Sequence, residues 1–266
     1  MIKSVVTIGG LAALALSPPA SATTFSDQVF APAFYTLNTY AMPGVVTTLG
    51  QSAFGNPGSA LRGTFAAPGA NPNGELFTAI NTGFIYDPGV SGAITTLSAS
   101  LDRYYDLNIL GQPGNVLAYT LRLLAVQDGK TYQAIFSTPS SGPGGYWLNL
   151  SRSGILASDF RLFDPADYGG SGGTTGLDFA GGAITFGFAM RATGLSDRNG
   201  DPINDASTGD LRADNFVLRI NDVAAVPEPA TWGMMVLGFG VVGGGMRRWR
   251  TRRSVALAGD HHQVAV

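Results

Sequence analysis

The chain has 266 residues, a formal net charge of −2, 37 glycines and no cysteine. The lack of cysteine excludes disulfide bonds and thiol chemistry. Residues 23–225 carry ten basic side chains against sixteen acidic ones, a formal charge of −6, and they lack the clustered lysine and arginine that nucleic acid or anionic lipid would attract. We therefore expect no nucleic-acid partner.

The first 22 residues have the three parts of a secretory signal peptide. Lys3 supplies the positive start, residues 5–16 form a short apolar stretch, and Ala20-Ser21-Ala22 matches an A-x-A cleavage site. The apolar stretch is too short to span a bilayer, which disfavours the alternative of a retained N-terminal anchor. We predict Sec-dependent export, cleavage after Ala22 and a mature chain that begins at Thr23.

Residues 23–225 carry the period-two alternation of β-strands and can bury one sizeable core. The clearest alternation falls in residues 97–101, 116–126, 131–137, 146–151, 184–191 and 215–221. Two antiparallel sheets would bury the apolar faces of such strands together. Because long loops rich in Gly, Pro, Asn and Asp separate several of them, we predict an all-β fold with a single β-sandwich of jelly-roll type rather than a closed barrel.

Local signals refine this prediction. Asp128-Gly129 has the composition of a type I′ turn and predicts a hairpin between residues 116–126 and 131–137. Residues 155–163 are expected to form a strand or a short loop with Phe160 facing inward. In residues 51–73, Gly, Pro and Asn interrupt short apolar pieces, which predicts edge strands and loops.

The residue types disfavour an enzyme. Both histidines, His261 and His262, lie near the C-terminus, so residues 23–225 contain none, which excludes Ser-His-Asp catalysis and histidine-ligated zinc there. A glycosidase needs two carboxylates, but Glu75 is the one glutamate in this range and no close acid pair stands on one strand face. We predict no catalytic residues.

One loop has oxygen-bearing side chains at alternate positions, as calcium loops do. They belong to Asp197, Asn199 and Asp201, and Asp205 and Asp210 follow. The pattern departs from an EF-hand, so it predicts a looser calcium site, and an ordinary solvated loop is the alternative.

Two aromatic pairs, Tyr104-Tyr105 and Tyr146-Trp147, each place neighbouring rings on opposite faces of a strand. Exposed rings suit stacking on sugars, which makes Tyr105 and Trp147 the candidate sugar-binding residues. The alternative is that these rings fill the core.

Residues 226–253 consist of three parts in order. Pro227-Glu228-Pro229 is a rigid, extended tripeptide. Residues 230–246 are apolar and can form a short transmembrane helix. The arginines that follow, Arg247, Arg248, Arg250, Arg252 and Arg253, should stay in the cytoplasm. Charge alone therefore predicts that the preceding domain lies outside the inner membrane and that residues 254–266 form a cytoplasmic tail.

This segment resembles a PEP-CTERM sorting signal of the variant with tryptophan three residues after the tripeptide, here Trp232, followed by two methionines and Gly-Phe-Gly. Gly233 replaces the usual alanine, and the tail of thirteen residues departs from the pattern. The resemblance implies a protein exported by a Gram-negative bacterium and processed by exosortase, a membrane-embedded peptidase. A plain C-terminal membrane anchor is the alternative.

A second stretch, Ala213-Asp214-Asn215-Phe216-Val217-Leu218, resembles the final strand of lectin-like and carbohydrate-binding jelly rolls. The alternative is that Asp214 and Asn215 open the last strand by bonding nearby backbone. We expect a structural or adhesive protein of the cell surface, exopolysaccharide or biofilm. A carbohydrate-binding module or degenerate glycosidase is the rival.

Overall fold

The computed structural model describes residues 21–41, 44–67, 75–109, 116–140, 144–167, 172–196 and 207–222. The chain divides into two units, Met1–Asp222 and Val223–Val266, and all described residues belong to the first. The predicted signal peptide up to Ala20, residues 197–206 and residues 223–266 lie outside the described ranges.

The described residues form twelve strands. They are β1 (Thr23–Asp27), β2 (Tyr35–Tyr40), β3 (Val46–Gly55), β4 (Gly58–Ala67), β5 (Leu76–Tyr86), β6 (Leu97–Ile109), β7 (Val116–Gln127), β8 (Lys130–Ser140), β9 (Tyr146–Arg152), β10 (Arg161–Leu162), β11 (Ile184–Ser196) and β12 (Ser207–Ile220). Between β5 and β6 lies one short α-helix, α1 (Pro88–Ser91). None of the helices in this part of the chain has the length and hydropathy of a membrane span.

The strands form two antiparallel six-stranded sheets. Sheet A has the order β3-β4-β12-β6-β9, with β1 also paired to β12, and sheet B has the order β10-β8-β7-β11-β5-β2. Their facing side chains form one core. Sheet A contributes buried residues such as Leu101 and Phe216, and sheet B contributes Leu123, Phe186 and Phe188. The predicted β-sandwich is confirmed.

The clearest strand predictions are also confirmed. β6 contains residues 97–101, and β11 contains residues 184–191. β12 contains residues 215–220, and residue 221 follows it directly. The hairpin of β7 and β8 turns at Asp128 and Gly129, whose φ angles are 51° and 73°, as a type I′ turn requires. Phe160 faces inward and is fully buried.

The interpretation of residues 51–73 as edge strands and loops is only partly right. β3 does lie at an edge, but β4 lies inside sheet A between β3 and β12. Its alternation is hard to see in the sequence because Gly63 stands at a buried position, where an added Cβ would lie 2.6 Å from the Phe77 ring. A glycine contributes no apolar side chain to the pattern, although it makes room for one.

Strand β12 begins earlier than the sequence indicates. It starts at Ser207 and pairs with β6 over its whole length, so Asp214 and Asn215 lie within the strand and do not open it. The register shifts between Asp214 and Val217, and Asn215 has a φ angle of 50°. Asparagine tolerates this left-handed conformation better than most residues, which suits it to a β-bulge.

Gly187 should be required by the close approach of two strands. A Cβ added there would lie 2.2 Å from the carbonyl oxygen of Ala79 on β5. We expect Gly187→Ala to lower the free energy of unfolding by about 1–3 kcal/mol, because backbone has to move. Gly50→Ala is the matched control, since a Cβ at Gly50 meets nothing within 4 Å. Urea unfolding of both variants measures the difference, and equal stability would contradict the packing at Gly187.

Candidate functional site on the outer face of sheet A

A row of side chains crosses the outer face of sheet A at one level. The registers place Trp147 opposite Tyr104, Tyr104 opposite Arg212, and Arg212 opposite Arg62. The Tyr104 and Trp147 rings lie 5.6 Å apart at 50°, and the Arg212 guanidinium lies 4.6 Å from the centre of the Tyr104 ring. Phe54 also approaches this guanidinium, at 5.7 Å. We call Trp147, Tyr104, Arg212 and Arg62 the flat row.

Strand alternation corrects one predicted site residue. Tyr105 follows Tyr104 on β6 and therefore points to the opposite side, where it is 2% exposed and belongs to the core. A buried ring cannot stack on a sugar, so the assignment of Tyr105 is wrong. Tyr104 is the ring that contacts Trp147. The sequence offered both tyrosines, and only the pairing of β6 with β9 decides between them.

One carboxylate holds both arginines of the flat row. Asp210 accepts hydrogen bonds from Nε and Nη2 of Arg62, at 3.0 and 2.8 Å, and from Nε and Nη2 of Arg212, at 3.0 and 2.6 Å. Burial works to raise the pKa of Asp210, but the hydrogen bonds and charges of Arg212 and Arg62 lower it on balance. Asp210 therefore stays ionised and fixes the orientation of both guanidinium groups.

A second row of polar side chains runs beside the flat row. Asp106 lies opposite Asp210, Asp210 opposite Thr64, and Thr64 opposite Thr48. An open groove of about 360 Å³ is lined by these four residues and by Arg62 of the flat row. The groove therefore combines hydroxyl and carboxylate oxygens with the guanidinium donors of the flat row.

On the other side of the flat row, two carboxylates are held by three asparagines. Asp102 accepts hydrogen bonds from the side-chain amides of Asn149 at 2.6 Å, Asn215 at 2.7 Å and Asn56 at 3.2 Å. Asp214 accepts one from the backbone N–H of Asn215 at 2.6 Å and another from that of Asn56. We call these five residues the carboxylate–amide cluster.

The carboxylate–amide cluster fastens the turn between β3 and β4 to the bulge of β12. Asp214 is fully buried, and burial raises its pKa against the lowering effect of its two backbone donors. A Cβ added at Gly55 would lie 2.7 Å from an Asp214 carboxylate oxygen, so the turn approaches the bulge closely. The cluster therefore fixes the position of Phe54, which immediately precedes this turn. The sequence indicated Asp214 and Asn215 but not their partners, which are distant in the chain.

Glu75 lies apart from both rows, immediately before β5. It is 0% exposed, and within the described part of the chain neither of its carboxylate oxygens has a hydrogen-bond partner. Burial raises its pKa to about 7, although the charge of Arg191 works to lower it. Its carboxylate is therefore shielded from solvent.

Three predicted calcium ligands, Asp197, Asn199 and Asp201, lie outside the described residues, so calcium at that loop stays a prediction. Within the described ranges no three His, Cys, Asp or Glu side chains are grouped so that they could hold a metal ion. Asp210 does not belong to the loop as expected, because it lies in β12 and is bonded to two arginines.

Comparison with known proteins identifies the C-terminal segment. The family described as the PEP-CTERM protein-sorting motif matches residues 225–253. The chain carries a PEP-CTERM sorting motif. The match includes the predicted sorting residues Pro227, Glu228, Pro229, Trp232, Arg247, Arg248 and Arg250, all of which lie outside the described residues. No curated protein sequence matches the chain.

Several solved structures show limited similarity to this PEP-CTERM chain. The CBM22-1 xylan-binding domain of Paenibacillus barcinonensis Xyn10C covers 78% of this chain and 100% of its own, at 11% identity and a TM-score of 0.36. Arcelin-5, a lectin-like defence protein of Phaseolus vulgaris, covers 76% and 99%, at 10% identity and a TM-score of 0.34. Similarities of this size carry no argument about function.

The carboxylate–amide cluster generates a stability prediction. In Asp214→Asn, one carboxylate oxygen is replaced by an amide NH2 group. The backbone N–H that donates to that oxygen would then face another donor. We expect the free energy of unfolding at pH 7 to fall by about 2–3 kcal/mol, because a buried donor is left unsatisfied. Asp222→Asn, at an exposed position, should change it by less than about 0.5 kcal/mol. Denaturant unfolding measures both variants. If Asp214→Asn is as stable as the unmodified protein, the Asp214 carboxylate does not stabilise the fold through these hydrogen bonds.

Glu75 generates a prediction of pH dependence. Its pKa is about 7 in the folded chain and about 4.3 when unfolded, so folding favours the protonated form. This stabilisation is fully present below about pH 4 and is lost as the pH rises through about 7. Gln resembles the protonated carboxyl, so Glu75→Gln should match the unmodified protein near pH 4 and exceed it in stability by roughly 1–3 kcal/mol at pH 8. If the difference in unfolding free energy between Glu75→Gln and the unmodified protein does not change with pH, the raised pKa of Glu75 is refuted.

Proposed function

We propose that this chain is an exported surface protein of a Gram-negative bacterium that is sorted and processed by exosortase. The observation that carries the proposal is the PEP-CTERM motif at residues 225–253. It begins just beyond Asp222, the last described residue, and the last residue of β12 is Ile220. Among the described residues, the side chains that form the hydrophobic core all precede the motif.

The two ends of the sandwich support this route. β1 begins at Thr23, the predicted mature N-terminus, and Thr23 pairs with Ile220 at the end of β12. The predicted signal-peptide cut and the sorting motif therefore lead into the same pair of strands. Six residues separate Ile220 from Pro227, which allows roughly 20 Å of extended chain between the last strand and the tripeptide.

In this proposal the segments act in sequence. Residues 1–22 direct the chain to the Sec pathway and are removed. Residues 230–246 hold the mature chain in the inner membrane for a time, with the arginine cluster and residues 254–266 in the cytoplasm. Exosortase then cuts near Pro227-Glu228-Pro229 and releases the sandwich to the cell surface or the extracellular matrix.

The sandwich has a structural or adhesive role in the exopolysaccharide or biofilm in this account, without catalysis. A carbohydrate-binding module is the second candidate, and the observation that favours it is the outward-facing contact between Tyr104 and Trp147. The degenerate glycosidase variant has less support, since Glu75 is buried.

Processing can be tested in cells that contain exosortase. We expect them to release a form that lacks residues 230–266, because six glycines among the seventeen residues 230–246 make the anchor marginal and suited to removal. Glu228→Ala, or deletion of the peptidase, should leave the full-length mature chain in the inner membrane. Asp222→Ala is the control, since it removes a nearby exposed acid outside the motif and should be processed normally. Mass spectrometry of both fractions decides, and peptides from residues 234–246 in the released form would refute processing.

A further inference from the structure

The flat row lies at the centre of a surface with a regular chemical pattern. Trp147, Tyr104, Arg212 and Arg62 follow one another on neighbouring strands at directly opposite positions. Neighbouring strands are about 4.8 Å apart, so the planar groups repeat at a spacing close to the length of one sugar unit in an extended chain. The row continues to Gly50 on β3, where an added Cβ would meet open space, so the surface stays unobstructed at that end.

Polar groups lie on both sides of the flat row. On one side are Asp106, Asp210, Thr64 and Thr48, and on the other is the carboxylate–amide cluster with Asp102. A pyranose unit has C–H groups on its two faces and hydroxyl groups around its rim. A chain of such units lying along the flat row would stack on Trp147 at the edge strand β9 and place its hydroxyls beside these donors and acceptors.

The charges on this surface favour an uncharged ligand. Arg62 and Arg212 carry two positive charges, and Asp210 bridges both of them. Asp106, in the same groove, supplies a second negative charge. Asp102 and Asp214 add two further carboxylates beside the row, so acids outnumber the two arginines here, as acids outnumber bases over residues 23–225, whose formal charge is −6. A polyanion would meet repulsion without a compensating site.

We propose that the outer face of sheet A binds an uncharged polysaccharide chain that lies across the strands along Trp147, Tyr104, Arg212 and Arg62. This inference deepens the second candidate function and is independent of exosortase processing. Trp147, on the edge strand β9, supplies the stacking surface. Tyr104, whose ring face is covered by the Arg212 guanidinium, supports Trp147 from the neighbouring strand, and Asp210 acts as a positioning residue that holds the two arginines. Phe54, which is 67% exposed and approaches Arg212, extends the surface toward the turn between β3 and β4.

The test uses the mature chain, residues 23–266, purified in a nonionic detergent. Affinity gel electrophoresis with soluble xylan, hydroxyethylcellulose, galactomannan and dextran provides the neutral probes, and alginate provides a polyanion. We expect at least one neutral polymer to retard the protein and alginate to retard it at least tenfold less at equal concentration. No retardation by any neutral polymer, or equal retardation by alginate, would overturn the proposal.

Variants locate the site. Trp147→Ala should weaken retardation by roughly tenfold or more, as expected when a stacking ring is lost. Tyr104→Ala should also weaken it, because it removes the ring that supports Trp147 and Arg212. Tyr146→Ala is the matched control, because Tyr146 is an exposed neighbour of Trp147 that pairs with Tyr105 and not with Tyr104. Trp147→Phe keeps an aromatic surface and should restore part of the binding even if Trp147→Ala fails to fold. Binding unchanged in Trp147→Ala, or lost equally in Tyr146→Ala, would contradict the assignment.

Failure of this test is distinct from failure of the proposed export. A protein that is processed normally but binds no neutral polymer would remain a PEP-CTERM surface protein without this site. A protein that binds but is never cut would keep the site and lose the sorting account.

Discussion

The pairing of β12 along both of its edges is the constraint on which the rest of the structure depends. One edge pairs with β6 from Ser207 to Ile220. The other edge is shared, because β4 pairs with residues 207–213 and β1 pairs with residues 216–220. The bulge at Asp214 and Asn215 separates these two partners. The carboxylate–amide cluster holds that bulge and thereby joins the N-terminal strand, the turn between β3 and β4, and the outer face in one arrangement.

The same strand connects the fold to both proposed functions. Its inward side chains, Leu211, Phe216 and Leu218 among them, belong to the core. Its outward side chains, Asp210 and Arg212, organise the flat row. Its last residue, Ile220, pairs with the predicted mature N-terminus, and six residues separate it from Pro227. A cut near the tripeptide would therefore fall beyond the end of β12.

The fold class could be predicted from the sequence, because period-two alternation and the turn at Asp128-Gly129 are local signals. The choice between Tyr104 and Tyr105 could not, since it depends on how β6 pairs with β9. Asp210 and Arg212 stand two residues apart on one strand, which indicates a shared face. The sequence nevertheless places Asp210 in a loop, because Gly209 interrupts the alternation at the start of β12. Phe65 explains that glycine, because a Cβ at Gly209 would lie 2.1 Å from its ring. The partners Asn56 and Asn149 could not be found either, because a bond across 158 residues, such as that from Asn56 to Asp214, leaves no mark on the local pattern.

We propose that residues 23–222 fold without the sorting segment. Hydrogen exchange followed by mass spectrometry on residues 23–266 in detergent and on residues 23–222 in buffer tests it most directly. We expect the same protection in both forms across residues 23–222. The amides of β12 should be among the slowest to exchange, because both edges of the strand are paired. Loss of protection in β12 and β1 when residues 223–266 are removed would contradict it, because the sorting segment would then be part of the fold that it is proposed to leave behind.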